Sequence, residues 1–297
     1  MDEVPFAFAV QKGEKHLKIK EMVKEAVESG IPPIVFEYSP IVFFRENRRV
    51  ARTFMVINSL DLGTLKLQQY RYVARRTKQG NHMVKRHIDK LVRMISGGEE
   101  DPTIECYTIP VYARLLKEGE LAGMLFEALT LYPEVPASKL CVELSADILF
   151  EDVEESRKRI DELRGLGVRV AISEVGDEFC PVFRLAELRF DYAFLDAYAT
   201  ASLSREDADR VAGSLVSYLH FLDVAVIAPD LISDEQIAGA ESVECNGYTL
   251  GERLPVEDPP EEWVGELTVE EEDAAPAISL AESFENEALP GEEVSDQ

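Results

Sequence analysis

The sequence predicts an α/β chain closed into a (β/α)8 TIM-like barrel with an irregular, antiparallel first strand. Three observations predict it. Eight short apolar runs alternate with amphipathic helical segments across residues 34–245, the pattern of strands and crossover helices. Their span fits the roughly 250 residues of a typical barrel. The first run leads straight into a second extended segment with no helix between them, so those two neighbours are expected to be antiparallel. An open doubly wound sheet is the competing architecture, but it usually places a glycine-rich phosphate loop after its first strand. The first run here ends in Tyr38-Ser39-Pro40 instead.

Residues 1–15 read as a leader, 16–255 as the barrel domain and 256–297 as an acidic, largely disordered tail. A helix is expected over 16–29, with Leu17, Ile19, Met22, Val23, Ala26 and Val27 on one face and Gly30 as its stop before Pro32-Pro33. Strands are expected at 34–38, 49–58, 104–109, 140–144, 169–173, 192–195, 224–228 and 242–245. The segment 118–131 repeats Leu121, Met124, Leu125, Ala128 and Leu129 at helical spacing. Over 152–165, Val153, Ile160 and Leu163 share a face and Gly165-Leu166-Gly167 ends the helix. Ser204 with Asp207 three residues on predicts an N-cap for a helix over 204–222, and Ser233 before Asp234-Glu235 predicts another. Beyond Pro255 the composition turns to Glu, Asp, Ala, Pro and Ser, which cannot bury enough apolar surface to order itself. Trp263, Val264, Leu267 and Val269 interrupt it. They read as a turn stapled to the domain edge, with a partner-binding motif as the alternative.

Charge is distributed unevenly. The 297 residues carry 31 Lys+Arg and 57 Asp+Glu, a formal −26, which excludes a generally basic nucleic-acid binder. From Val256 onward there are 15 acidic residues and no Lys or Arg, leaving net −11 for the first 255. Between Arg45 and Arg93 the sign reverses, with 13 basic residues against Glu46, Asp61 and Asp89. No apolar run reaches 18 residues, so no membrane insertion is expected. Met1-Asp2-Glu3 lacks the positive flank of a signal peptide. Cys106, Cys141, Cys180 and Cys245 are widely spaced, without a CxxC pair. They read as free thiols of a cytoplasmic protein.

Barrel enzymes keep their chemistry at the C-terminal ends of the strands. There the sequence offers Glu143, Ser173-Glu174, Asp196, Pro229-Asp230 and Asn246. Two-metal phosphodiester hydrolysis needs several converging carboxylates, and only Glu143 and Glu174 are well placed. His16, His82, His87 and His220 fall on helices or loops, and no G-x-S-x-G, H-E-x-x-H or P-loop pattern occurs.

These segments resemble a known family. Tyr38-Ser39-Pro40-Ile41-Val42 looks like the YQPIV opening of EAL domains, the cyclic di-GMP phosphodiesterases. Residues 140–149 resemble the family's LELTES segment, and 163–172 its LRxLGVRIAL segment. Ser173-Glu174-Val175-Gly176 stands at DDFG, 189–196 at D-x-x-K-x-D, 226–231 at AEGVE and 246–251 at QGYxxG. The resemblance covers about residues 20–255 and implies an EAL-type barrel.

Its catalytic positions do not carry over. The resemblance puts the EAL glutamate at Thr53, the third-strand metal-binding Asn at Thr108, the TE glutamate at Ala146 and the first DDFG aspartate at Ser173. The water-positioning Lys falls at Phe194, the AEGVE glutamates at Pro229 and Ile232, and the QGY glutamine at Asn246. Glu143 matches a metal-binding Glu, and Glu174 keeps the second DDFG charge. Two vestigial carboxylates do not make a metal site, so no catalytic residue, metal or cofactor is expected. Ligand contacts are also altered, with Ser39 for the YQPIV glutamine and Ile57 for the Arg after EAL-L. An arginine fork is a strong phosphate ligand, and its loss disfavours cyclic di-GMP binding.

The expected function is therefore a non-catalytic EAL-like regulatory module acting through a protein partner in bacterial signalling, with an inactive cyclic di-GMP receptor as the alternative. The candidate partner surface is the basic stretch: Arg45, Arg48, Arg49, Arg52, Arg71, Arg75, Arg76, Lys78, Lys85 and Arg86. Its interleaved aromatics are few, Tyr70 and Tyr72 among them, and give little for nucleic-acid bases to stack on. Family dimers use the loop after DDFG. Here Gly176-Asp-Glu-Phe179 keeps one glycine and has Glu178 at the second, which leaves a homodimer open.

Overall fold

The leading helix forms as its periodicity predicts: α1 runs over residues 17–28 and buries Ile19, Val23, Ala26 and Val27. The structure is a computed structural model and describes residues 17–29, 34–60, 62–98, 101–177, 180–205 and 207–251. The leader 1–15, the helix stop at Gly30, Glu178, and the acidic tail with Trp263 lie outside the described residues.

Nine strands follow among these residues: β1 (Ile34–Phe43), β2 (Val50–Ser59), β3 (Gly63–Leu65), β4 (Cys106–Val111), β5 (Leu140–Ser145), β6 (Arg169–Val175), β7 (Tyr192–Leu195), β8 (Ala225–Leu231) and β9 (Gly247–Leu250). Their order is β1-β9-β8-β7-β6-β5-β4-β2-β3, and an added β1–β2 pairing closes eight of them into a barrel, with β3 as a hairpin on β2. β1 runs antiparallel to both neighbours, β2 and β9, whereas β2 and β4 through β9 are parallel. The irregular start is as expected.

Around the barrel lie α2 (Leu67–Arg76), α3 (Lys78–Ser96), α4 (Ala113–Glu118), α5 (Glu120–Leu131), α6 (Val153–Gly165), α7 (Ala197–Ser202), α8 (Ser214–Phe221) and α9 (Asp234–Ser242). Of the two caps read from the sequence the one at Ser233 forms, and Asp152 supplies another. The Asp152 carboxylate accepts from Glu155 N–H at the start of α6, and the Ser233 hydroxyl accepts from Gln236 N–H at the start of α9.

Three expectations change. The helix expected over 118–131 starts two residues later, at Glu120, because Gly119 takes a left-handed φ of 76° and separates it from α4. The Ser204 cap does not form: its hydroxyl donates to Ala201 O, and Asp207 is taken by Arg205. α8 begins only at Ser214, after a short π-helical turn over Asp209–Gly213. The eighth run, 242–245, is no strand. Val243 and Cys245 are buried as α9 exits, with Cys245 N–H closing on Ala240 O, and the last strand starts two residues later. A short apolar run does not by itself distinguish a buried strand from a helix exit.

Alternate residues divide two cores. Outward positions pack beneath the helices, and inward ones such as Val50, Cys106, Cys141, Ala171, Tyr192 and Ile227 fill the barrel. The four thiols are free. A satellite cluster joins α1 to Ile57, Tyr70 and Val73, and the Arg86 guanidinium donates to Ala26 O and Val27 O at the end of α1.

His87 of α3 is buried between this cluster and β2. Its Nε2 lies 2.7 Å from Thr53 Oγ1, and its ring meets Phe36 edge-on. Desolvation by burial lowers its pKa from the ordinary 6.5 to about 3. The unfolded chain therefore takes up this proton first. The contribution is complete above pH 6.5 and is lost as pH falls toward 3, at about 1.4 kcal/mol per pH unit. Urea unfolding from pH 7 to 4.5 is expected to show His87→Gln losing about one proton's slope relative to wild type. Equal slopes would refute this.

Candidate functional site

A cavity of about 370 Å³ opens at the C-terminal ends of the strands. Its walls are apolar, from Phe54, Leu67, Tyr112, Phe194, Pro229 and Ile232. At its floor the Arg52 guanidinium grips Glu143, Nε to Oε2 at 3.1 Å and Nη2 to Oε1 at 2.5 Å. Thr108 Oγ1 donates to the same Oε2 at 2.9 Å. The guanidinium carbon lies 4.3 Å from the Phe194 ring centroid and 5.3 Å from that of Phe54, both within cation–π range. Arg52 is 8% exposed and Glu143 3%. Burial works against the Arg52 charge, yet the Glu143 carboxylate more than offsets it and holds the pKa above its ordinary value.

Glu174 sits apart, at the rim. It is the last residue but one of β6, with a left-handed φ of 64° where the β6–β7 register shifts. Arg71 and Arg75, one turn apart on α2, both bond it. Arg75 Nε also lies 3.5 Å from Asp147. The two carboxylates singled out from the sequence therefore share the cavity, each neutralised by its own arginine partners.

Ser173, Phe194, Pro229 and Ile232 line the cavity, and Thr108 reaches its floor through Glu143. Others do not. Ala146 belongs to the outer core. Ser39 is paired with Arg52 across β1 and β2 but is not part of the lining. Asn246 lies at the opposite end of the barrel, holding Val226 N–H and His220.

Thr53 and Ile57 face outward, Thr53 toward His87 and Ile57 into the cluster under α1. The β2 residue that faces Glu143 is Arg52, one position earlier. Side chains alternate along a strand, so a one-residue shift exchanges the two faces. The sequence signal was present in the alternation Val50-Arg52-Phe54, but Arg52 was grouped with the surface.

The basic stretch is not one surface. Arg45, Arg48 and Arg49 lie at the N-terminal end of the barrel, near Glu244, Glu46 and Glu105, and Asp101 respectively. Arg52 is inside. Arg71 and Arg75 line the cavity. Lys85 pairs with Glu127, Arg86 holds α1, and Lys78 is exposed. The side chain of Arg76 lies outside those described.

The donor set does not fit a divalent cation. Such ions need several oxygen ligands, and both Glu143 oxygens are taken by Arg52, with Thr108 on one of them. Among the described residues no three His, Cys, Asp or Glu converge for a metal.

A closed barrel with one antiparallel strand and a cavity at its strand ends defines a TIM-like barrel domain rather than an open sheet. An EAL-domain model matches residues 20–249, and the chain belongs to the EAL family. It is 27% identical over 124 residues to an uncharacterised signalling protein of Caulobacter vibrioides, covering 40% of this chain and 15% of that protein. It is 23% identical over 165 residues to the oxygen sensor protein DosP of Escherichia coli, covering 53% and 20%. The chain thus matches at most a fifth of the length of these relatives. In fold it is similar to the PaMucR phosphodiesterase in complex with c-di-GMP, with TM-score 0.69 and 16% identity over 78% of this chain and 94% of the other. The FimX EAL domain from Pseudomonas aeruginosa bound to c-di-GMP gives TM-score 0.68 and 14% identity, over 78% and 93%. At these identities the likeness is one of fold. No helix among the described residues is long and apolar enough to cross a membrane.

Proposed function

We propose that this chain is a non-catalytic regulatory module of the EAL family that acts by docking a protein partner in bacterial signalling, in the cytoplasm. The Arg52–Glu143 pair carries the reading. It sets a fixed positive charge against the carboxylate that hydrolysis would require for a metal, and Glu174 at the rim is likewise held by Arg71 and Arg75. Exposed aromatics support docking: Phe183 is 80% exposed and Phe221 84%. Tyr218 meets Phe183 ring to ring and lies three residues before Phe221 on α8, so the three form one apolar face.

A second reading, a cyclic di-GMP receptor, is favoured by the open cavity with Arg71 and Arg75 at its rim and by the c-di-GMP complexes of the structural neighbours. Two measurements separate the readings. Incubation with cyclic di-GMP and Mg²⁺ or Mn²⁺ is expected to give no linear product; turnover abolished by Glu143→Gln would overturn the non-catalytic reading. Calorimetry with the dinucleotide is expected to give no heat at high micromolar ligand. Saturable heat would replace the partner reading with the receptor.

A further inference from the structure

A second group of ionisable side chains lies inside the barrel at its N-terminal end, away from the cavity. Cys106 opens β4 and Cys141 is the second residue of β5, and both point inward beside Tyr192. The two thiols share a hydrogen bond, and Arg169, the first residue of β6, donates to Cys106 as well. The Tyr192 hydroxyl accepts from Arg48 Nη2 at 2.5 Å and from Arg169 Nη1 at 3.5 Å. Arg48 has carboxylates of its own, Glu46 at 3.4 Å and Glu105 at 3.5 Å. Arg169 has none among the described residues; its polar neighbours are the Cys106 thiol and the Tyr192 hydroxyl. A guanidinium cannot shed its charge, and a partly buried one is stabilised by an anion beside it. Tyr192 does not supply that anion, because burial pushes its phenol well above the ordinary 10.0. Cys106 moves the other way. The bond from Cys141, then the charges of Arg169 and Arg48, hold its thiol below the ordinary range in spite of burial, whereas burial pushes Cys141 up.

We propose that Cys106 and Arg169 form a thiolate–guanidinium pair that reacts with small hydroperoxides, with Cys106 as the site of oxidation. The thiolate sulfur attacks one peroxide oxygen, so that an S–O bond forms and the O–O bond breaks. The transferred hydroxyl keeps its proton, and the departing hydroxide leaves with the O–O electron pair and takes a proton from solvent to become water. Sulfur is oxidised by two electrons to the sulfenic acid as the peroxide is reduced. Arg169 and Arg48 stand where the negative charge passes from sulfur to the leaving oxygen. Cys106 is buried, so the reagent has to be small. The two guanidiniums that act on it belong to partly exposed residues. The site is separate from the cavity at the other end of the barrel and does not depend on the partner or receptor reading.

Differential alkylation of the full chain tests it. The reduced protein is treated with hydrogen peroxide, quenched with catalase, then unfolded in iodoacetamide, and each cysteine is read by peptide mass mapping. Cys106 is expected to lose its alkylation at least about tenfold faster than Cys180. Exposure alone predicts the opposite order, since Cys180 is partly exposed and Cys106 is not. Burial nevertheless raises the Cys180 thiol, with no arginine to offset it. Arg169→Met, which keeps an unbranched stem and removes the charge, is expected to slow the loss at Cys106 by about tenfold and to leave Cys180 unchanged. If Arg169→Met does not fold, the order of the cysteines in wild type decides. Cys180 reacting first, all four cysteines reacting at one rate, or a folded Arg169→Met with an unchanged rate at Cys106 overturns the proposal.

Discussion

Glu143→Ala is expected to destabilise the fold by about 3–5 kcal/mol. The change strands the Arg52 guanidinium, 8% exposed, at the floor of the cavity. Arginine cannot escape by losing its proton, since its pKa lies far above any working pH. The two ring faces of Phe54 and Phe194 remain, but cation–π contacts, at about 0.5–2 kcal/mol each, do not replace a two-point carboxylate grip. The double change Arg52→Met with Glu143→Leu is expected to recover most of the loss, because it removes the desolvation cost along with the attraction. Urea unfolding of the three proteins measures both numbers. A loss below about 1 kcal/mol for Glu143→Ala would mean that water reaches the pair and screens it.

Gly239→Ala is expected to cost about 2–3 kcal/mol, an overpacking effect. Helix propensity alone predicts the reverse, since Gly239 lies inside α9 and alanine there would gain about 1 kcal/mol. A Cβ at this position would sit 1.8 Å from Leu203 O, a backbone atom that no rotamer change moves aside. The contact joins α9 to the turn after α7, and both helices wall the cavity through Gln236 and Thr200. Gly123 in α5 is the control, because a Cβ there meets nothing within 4 Å. Gly123→Ala should therefore stabilise by about 1 kcal/mol. Equal shifts in the melting temperature of the two variants would mean that α9 moves away from the turn at little cost.

Much of the fold was legible in local patterns. The strand cores, α1 and α6, the Ser233 cap and the antiparallel start all follow from periodicity and short-range hydrogen bonding. Where reading failed, another local bond competed. Ser204 and Asp207 had the composition of a capping box, but Ala201 O and Arg205 took them. The site was legible only in part. Glu143 and Glu174 stand out by their places at strand ends, and Ser173, Phe194, Pro229 and Ile232 line the same cavity.

The sequence by itself determined that the chain forms a barrel and that it carries the EAL pattern. Only the tertiary structure decided where the basic stretch goes. It divides between the two ends of the barrel, its outside and its interior, and it places Arg52 rather than Thr53 opposite Glu143. The reason is physical. Periodicity reports which residues share a face, but the choice of face turns on a single step in register. Partners 91 positions apart meet only when the barrel closes.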